Sequence, residues 1–344
     1  MHSVGVDIGA DRHVVAICAE GRLEAQRRVL PIANTRAGFS ELDRWLGRQG
    51  PIERIVLESS GHYWMPLASH LVAAGHPVAL INPLSAKYFA KRRLERAKSD
   101  PADARTLAAL GMVDRPPVRE PLLGAEAREA ARFAMRLVEE QARVCQRILR
   151  LVDLGFPELA EAFDDPSCKT ALALLKVAPT AREAARRKIA TLARANQGRG
   201  QRALGPKRAA AIHQAAQASI AVRELDAQIA FQMRLLIEQH ELLERQIEQA
   251  ERRVAGLLDS ELARRLQTIP GVGPASAAAL IAEIGDIRRF SEFDKIVAFA
   301  GVHAAEKSSG KKGQDPETSW HMAKTGSPYL RAALYRIAVV GLQH

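Results

Sequence analysis

The chain has little of what marks disulfide-stapled, zinc-binding or membrane proteins. Only three cysteines, Cys18, Cys145 and Cys168, occur in 344 residues. They are odd in number, widely separated and without paired metal-ligand spacing, so they read as core or incidental thiols and no zinc site is indicated. No apolar run is long enough to span a bilayer and no signal-peptide pattern opens the chain, so the expectation is a cytoplasmic protein with no membrane partner. Acid is short of base: 39 Asp and Glu face 50 Lys and Arg, a net charge of +11. That balance calls for an anionic partner, and nucleic acid is favoured over a membrane surface. The length exceeds what one core usually serves, so two or three domains are expected.

What is present changes character along the chain. Residues 1 to about 115 alternate strand-like and helix-like segments and read as an α/β domain. Val4 to Gly9, Arg12 to Ile17 and a third stretch toward Leu30 read as a three-strand meander, with further strands at Ile55 to Glu58 and Val78 to Ile81. From Pro116 to residue 258 the chain is rich in Ala, Arg, Glu and Leu. Two heptad seams run there, Ala130, Ala134, Leu137, Gln141, Val144, Ile148, Leu151 and Ile229, Met233, Leu236, His240, Leu243, Ile247, Ala250, Val254, Leu257. They serve either an oligomerising or antiparallel coiled coil or a helical hairpin within one chain. The basic stretch Arg182 to Arg208 is either a nucleic-acid surface or a solvated helix face. A third, helical region spans 259 to 344.

Four carboxylates stand at strand ends or a helix start. Asp7 follows Val4-Gly5-Val6, Glu58 closes Ile55-Val56-Leu57, and Asp100 and Asp103 flank Pro101 in a first helical turn, three apart and so on one face. Asp100 and Asp103 also suit plain capping and helix-dipole roles. Asp7 and Glu58 are harder to explain that way, because a carboxylate closing an apolar strand is desolvated unless something pairs with it. Together the four suit a hard divalent ion such as magnesium, with manganese as substitute, completed by waters and substrate phosphate.

Near the C-terminus, Ile269-Pro270-Gly271-Val272-Gly273-Pro274 ahead of an alanine-rich helix has the look of a helix-hairpin-helix turn. There Gly271 and Gly273 let the backbone approach a phosphate, or simply make a tight interhelical turn. Gly301 to Gly313 is a Ser, Gly and Lys-rich loop carrying Ser308, Ser309, Lys311 and Lys312, and Lys324 and Arg331 add positive charge beyond it. On composition alone it is a flexible loop. A serine acting there as a nucleophile needs a base, a lowered pKa or a polarised target.

In order and spacing these motifs resemble the DEDD transposases of bacterial insertion sequences, relatives of Piv-type DNA invertases and understood as bridge-RNA-guided serine recombinases. The resemblance rests on Gly5-Val6-Asp7-Ile8-Gly9, Leu57-Glu58-Ser59-Ser60-Gly61-His62-Tyr63-Trp64, Asn82-Pro83, Lys98-Ser99-Asp100-Pro101-Ala102-Asp103-Ala104, Ile269-Pro270-Gly271-Val272-Gly273, Ser308-Ser309-Gly310, and Lys324-Thr325-Gly326 with Leu330-Arg331. It implies a RuvC-like, RNase H-type first domain whose tetrad Asp7, Glu58, Asp100 and Asp103 binds magnesium. It further implies Ser309, with Ser308 adjacent, as the serine that joins covalently to DNA. The implied partners are donor and target DNA, a structured guide RNA and further copies of the chain in a dimer or tetramer. Two departures are visible: His303-Ala304 replaces a proline expected after Gly301-Val302, and the chain ends at His344, earlier than the resemblance implies.

Other readings stay open on the residues. A RuvC or RNase H-like nuclease needs the carboxylates and no serine, and a non-catalytic nucleic-acid scaffold needs neither. Val6-Asp7-Ile8-Gly9 also resembles the first phosphate loop of actin-like and sugar-kinase ATPases, but no convincing second Asp-x-Gly loop follows.

Overall fold

The computed structural model describes residues 1–21, 29–93, 99–195, 203–258, 260–306, 320–323 and 325–342. The chain separates into two compact units, Met1–Leu123 and Gly124–His344.

The first unit is a mixed α/β sheet of β1 (His2–Asp7), β2 (Arg12–Ala19), β3 (Leu30–Ala33), β4 (Ile52–Glu58) and β5 (Val78–Ile81), with four helices, α1 (Arg36–Leu46), α2 (Trp64–Ala73), α3 (Pro83–Arg92) and α4 (Asp100–Val113). Strand order is β3-β2-β1-β4-β5, antiparallel through the meander and parallel from β1 to β4 to β5. The third strand, expected toward Leu30, is Leu30–Ala33, and residues 22–28 of the expected stretch lie outside the described residues. Strand alternation sorts side chains onto two faces. Val4, Val6, Val15, Ile17, Ile55 and Leu57 pack with Phe39 and Leu42 of α1 and Leu67 and Leu71 of α2. On the other face Val56 meets Phe89 of α3 and Leu107 and Leu110 of α4, while Val14, Ala16 and Cys18 meet Ala104 and Ala108. Covered on both faces, the inner strands read as continuous apolar runs rather than alternating ones.

Helix α4 sits unusually close to β1. A Cβ on Gly5 would lie 2.2 Å from the backbone nitrogen of Ala108 and 2.3 Å from the carbonyl of Ala104, and one on Gly111 would lie 2.0 Å from Ser3 Oγ. Only glycine allows this approach.

The second unit is built on two long helices, α5 (Ala125–Gly155) and, after the short helices α6 (Leu159–Ala162), α7 (Lys169–Val177), α8 (Ala181–Arg186), α9 (Ile189–Ala193) and α10 (Pro206–Gln217), α11 (Asp226–Leu257). Then follow α12 (Ser260–Leu266), α13 (Pro274–Ile284), α14 (Phe293–Ala300), the strand pair β6 (Ala304–Glu306) and β7 (Trp320–Met322), and α15 (Pro328–Gly341). The two heptad-patterned helices pack against each other within the chain. Gly155 lies against Ile229 while Arg253 pairs with Glu126, so they run antiparallel. Val144, Ile148 and Leu151 share one core with Met233, Ile237 and Leu243, and with Leu172 and Leu175 of α7. His240 is buried in this seam, where burial lowers its pKa. Within the basic stretch Ala184 and Leu192 enter the core, whereas its described cations, Arg182, Arg186, Arg187, Lys188, Arg194, Lys207 and Arg208, stay on the surface, Arg182 beside Asp226. Among the described residues no helix is long and apolar enough to cross a membrane.

Candidate active site

Three elements bring the acidic tetrad to one edge of the sheet. Parallel pairing sets Val6 opposite Leu57, so the next residues, Asp7 and Glu58, emerge together at the carboxyl ends of β1 and β4. Helix α4 supplies the other two. Its residues Ala104 and Ala108 cover Gly5, and Gly111 covers Ser3, so the helix runs opposite to β1 and its first turn lies at the Asp7 end. Pro101 in that turn and the backbone bond from Asp103 to Ser99 (2.9 Å) start the helix where Asp100 and Asp103 can face the strand ends.

The carboxylates feel one another. Burial pushes the Asp7 carboxyl up to about 6, and the charges of Asp103, Asp100 and Glu58 add to it in that order, against a backbone hydrogen bond at Ile8. No described lysine or arginine forms an ion pair with Asp7, Glu58 or Asp100. Carboxylates gathered in this way supply the oxygen donors that a hard cation takes. Among the described residues, however, no three ligating side chains close to metal-binding reach as they stand.

His13 of β2, absent from the sequence-based candidates, sits under the turn after Asp7. It is fully buried, its Nδ1 accepts from the Gly9 amide at 3.3 Å, and burial lowers its pKa. A neutral ring therefore braces the Asp7–Gly9 turn. The signal was available: His13 shares the strand parity of the buried Val15 and Ile17.

In the second unit the two glycines of the α12–α13 turn differ. Gly271 adopts φ +85°, and a Cβ there would lie 2.4 Å from the carbonyl of Ile337, so this glycine serves close packing against α15. Gly273 is exposed, with open space around it. Arg331 points inward, with Nη1 3.4 Å from the Ala300 carbonyl at the turn of Gly301. Glu283, 3% exposed, takes Arg132 in a bidentate pair at 2.5 and 3.0 Å and accepts from Ser327 Oγ at 2.8 Å. Ser327 in turn caps α15 through the Leu330 amide, and the Arg132 guanidinium lies 4.8 Å from the Tyr329 ring. Ser308, Ser309, Lys311, Lys312 and Lys324 lie outside the described residues; the strands on either side of 307–319, β6 and β7, are paired.

Comparison with known proteins agrees with the order of these elements. A DEDD-type IS110 family model described as "Transposase" matches residues 4–157, and one described as "Transposase IS116/IS110/IS902 family" matches residues 263–344. The mini-circle putative transposase for IS117 of Streptomyces coelicolor is 30% identical over 334 residues, 90% of this chain and 77% of that protein. The pilin gene-inverting protein of Moraxella bovis is 30% identical over 119 residues, 32% of this chain and 37% of that one. Thermus thermophilus RuvC, solved with a Holliday junction substrate, superposes with a TM-score of 0.26 at 15% identity, over 33% of this chain and 95% of that chain. The molecule is thus a transposase, an enzyme of DNA strand cleavage and rejoining. Within that class, the chain belongs to the IS116/IS110/IS902 family.

Proposed function

We propose that this transposase is a divalent-metal-dependent DNA recombinase working through a covalent phosphoserine intermediate on an RNase H-type first domain. The observation that carries the metal half is the Asp7 carboxyl, raised to about 6 beside three further carboxylates. Asp7, Glu58, Asp100 and Asp103 would hold magnesium, with manganese as substitute. The ion, when bound, polarises the scissile phosphodiester. Ser309 Oγ attacks the phosphorus, its proton passes to solvent base and one DNA oxygen leaves; the new phosphoester is then opened by a hydroxyl of another strand. Each step exchanges one phosphoester for another, so no ATP is consumed. Ser308 is the adjacent candidate.

The reading divides labour along the chain. Residues 1–115 carry the carboxylates, 116–258 support assembly into a dimer or tetramer, and 259–344 carry the serine, with Gly273, Lys311, Lys312 and Lys324 toward nucleic acid. Gly271 and Arg331 hold that region together. A structured guide RNA would choose the donor and target sequences by base pairing, leaving the protein to read backbone and charge.

The test is incubation of the purified protein with magnesium, its element-derived RNA and matching DNA, followed by denaturing gel and peptide mass spectrometry. DNA joined to Ser309, lost in Ser309→Ala, is the expected result. Normal cutting by Ser309→Ala, abolished in Asp7→Ala, would instead make this a hydrolytic RuvC-like nuclease.

A further inference from the structure

Helix α3 has two unlike faces. Ala86 and Phe89 are buried against Leu107 and Leu110 of α4. The opposite face exposes Leu84, Lys87, Tyr88 and Lys91, which lie three and four residues apart and so form one patch. Tyr88 is 65% exposed and Leu84 39%. The helix Pro83–Arg92 carries no acidic residue.

Its cations fall into two groups. Arg92 pairs with Asp114 at 2.6 Å and, with Arg93, lies over the Phe89 ring at 4.9 and 5.7 Å, so both serve packing. Among the described residues neither Lys87 nor Lys91 has an ion-pair partner, although lysines elsewhere, such as Lys169 and Lys176, do. A merely solvated face would need the lysines but not an exposed tyrosine and leucine between them.

Position links this face to the carboxylates. Glu58 pairs in register with Ile81, and Ser59 binds the Ile81 carbonyl through both its amide and its hydroxyl at 3.0 Å. Helix α3 begins two residues later, capped by Asn82 on the Leu84 amide at 2.8 Å. The loop after Glu58 carries a second aromatic group: His62 and Tyr63 rings lie 4.2 Å apart, and Tyr63 is 42% exposed. Trp64, buried below, fixes that turn through the Gly61 carbonyl at 3.2 Å.

We propose that the Leu84–Lys87–Tyr88–Lys91 face of α3 binds an unpaired stretch of DNA strand and leads it to the carboxylates. The assignment rests on the transposase reading for the identity of the strand. A paired base has both faces covered by its neighbours, so only an unpaired one can lie on the Tyr88 ring, and stacking of this kind tolerates any sequence. Lys87 and Lys91 neutralise phosphates of a strand that the acidic cluster itself would repel.

The test is fluorescence anisotropy of the full chain with a short dye-labelled oligothymidylate in metal-free buffer. Tyr88→Ala is expected to weaken binding about ten-fold and Tyr88→Phe to retain it. Lys87→Ala with Lys91→Ala lowers the slope of log affinity against log salt by about 1.4. Asp7→Asn binds the strand as well as the parent or better. Unaltered binding by Tyr88→Ala would overturn the proposal. So would an equal loss on duplex DNA, or tighter and more Tyr88-dependent binding of the matching RNA oligonucleotide. A chain that binds strands through Tyr88 yet never cuts DNA would refute the recombinase reading and leave this surface standing.

Discussion

Burial and neighbouring carboxylates disfavour the ionised form of Asp7. Its carboxyl, raised from an ordinary 3.8 to about 6, holds its proton more tightly folded than unfolded. The stabilisation from that proton is complete below pH 3.8 and is lost as pH rises through about 6. Asp7→Asn should therefore remove this loss and leave the protein more stable than the parent at pH 7. The gain is on the order of 1 kcal/mol, discounted because the group is partly exposed and solvent-screened. Urea unfolding at pH 4 and pH 7 checks it: the variant's advantage should be seen only at the higher pH. Magnesium should raise the parent's melting temperature and not that of Asp7→Asn, and equal shifts would remove the cation from this site. Asp7 and Glu58 were legible as strand-ending acids because they close the apolar runs Val4-Gly5-Val6 and Ile55-Val56-Leu57. For His13 strand parity signals burial, but not its contact with the turn, since that depends on an amide that only the folded hairpin brings to it.

At the scale of elements, the decisive contact is α4 on β1. Gly5→Ala puts a methyl where the Ala108 nitrogen and Ala104 carbonyl already are, both backbone atoms that cannot rotate away. A loss of about 2 kcal/mol or more in urea unfolding is expected. Because the same contact sets the first turn of α4 beside Asp7, DNA cleavage should fall further than stability alone explains. The Arg132–Glu283 pair is the corresponding tie between α5 and α13. Glu283→Ala strands a guanidinium and should cost about 3 kcal/mol, at the lower end because a third of the Arg132 side chain reaches solvent. The heptad seams show where periodicity stops being informative. Their spacing identifies two long helices with apolar stripes, but it fits a partner chain as well as a partner helix. Here they face each other, so Ile148→Ser should lower the melting temperature independently of protein concentration, as scanning calorimetry at two concentrations would show.

Across the whole molecule, the +11 charge sets the anionic partner but not where it binds. Several of the cations counted in it are engaged internally: Arg132 with Glu283, Arg182 with Asp226, Lys176 with Glu241. Affinity for duplex DNA should still fall steeply with salt, and the measured slope will report how many phosphates are neutralised, a number smaller than composition alone invites.

Sequence by itself determined the local vocabulary: which stretches are strands or helices, where carboxylates close an apolar run, and the ordered motifs that place the chain among transposases. These follow from periodicity and turn chemistry, which act over a few residues. Tertiary structure decided which of those elements meet. Asp7 and Asp103 are drawn together because Gly5 and Gly111 let a helix lie on a strand without side chains between them. The two seams are spent on each other because the chain between them folds α11 back along α5. Nothing in a one-dimensional pattern specifies such pairings, since they depend on contacts between segments far apart in the chain.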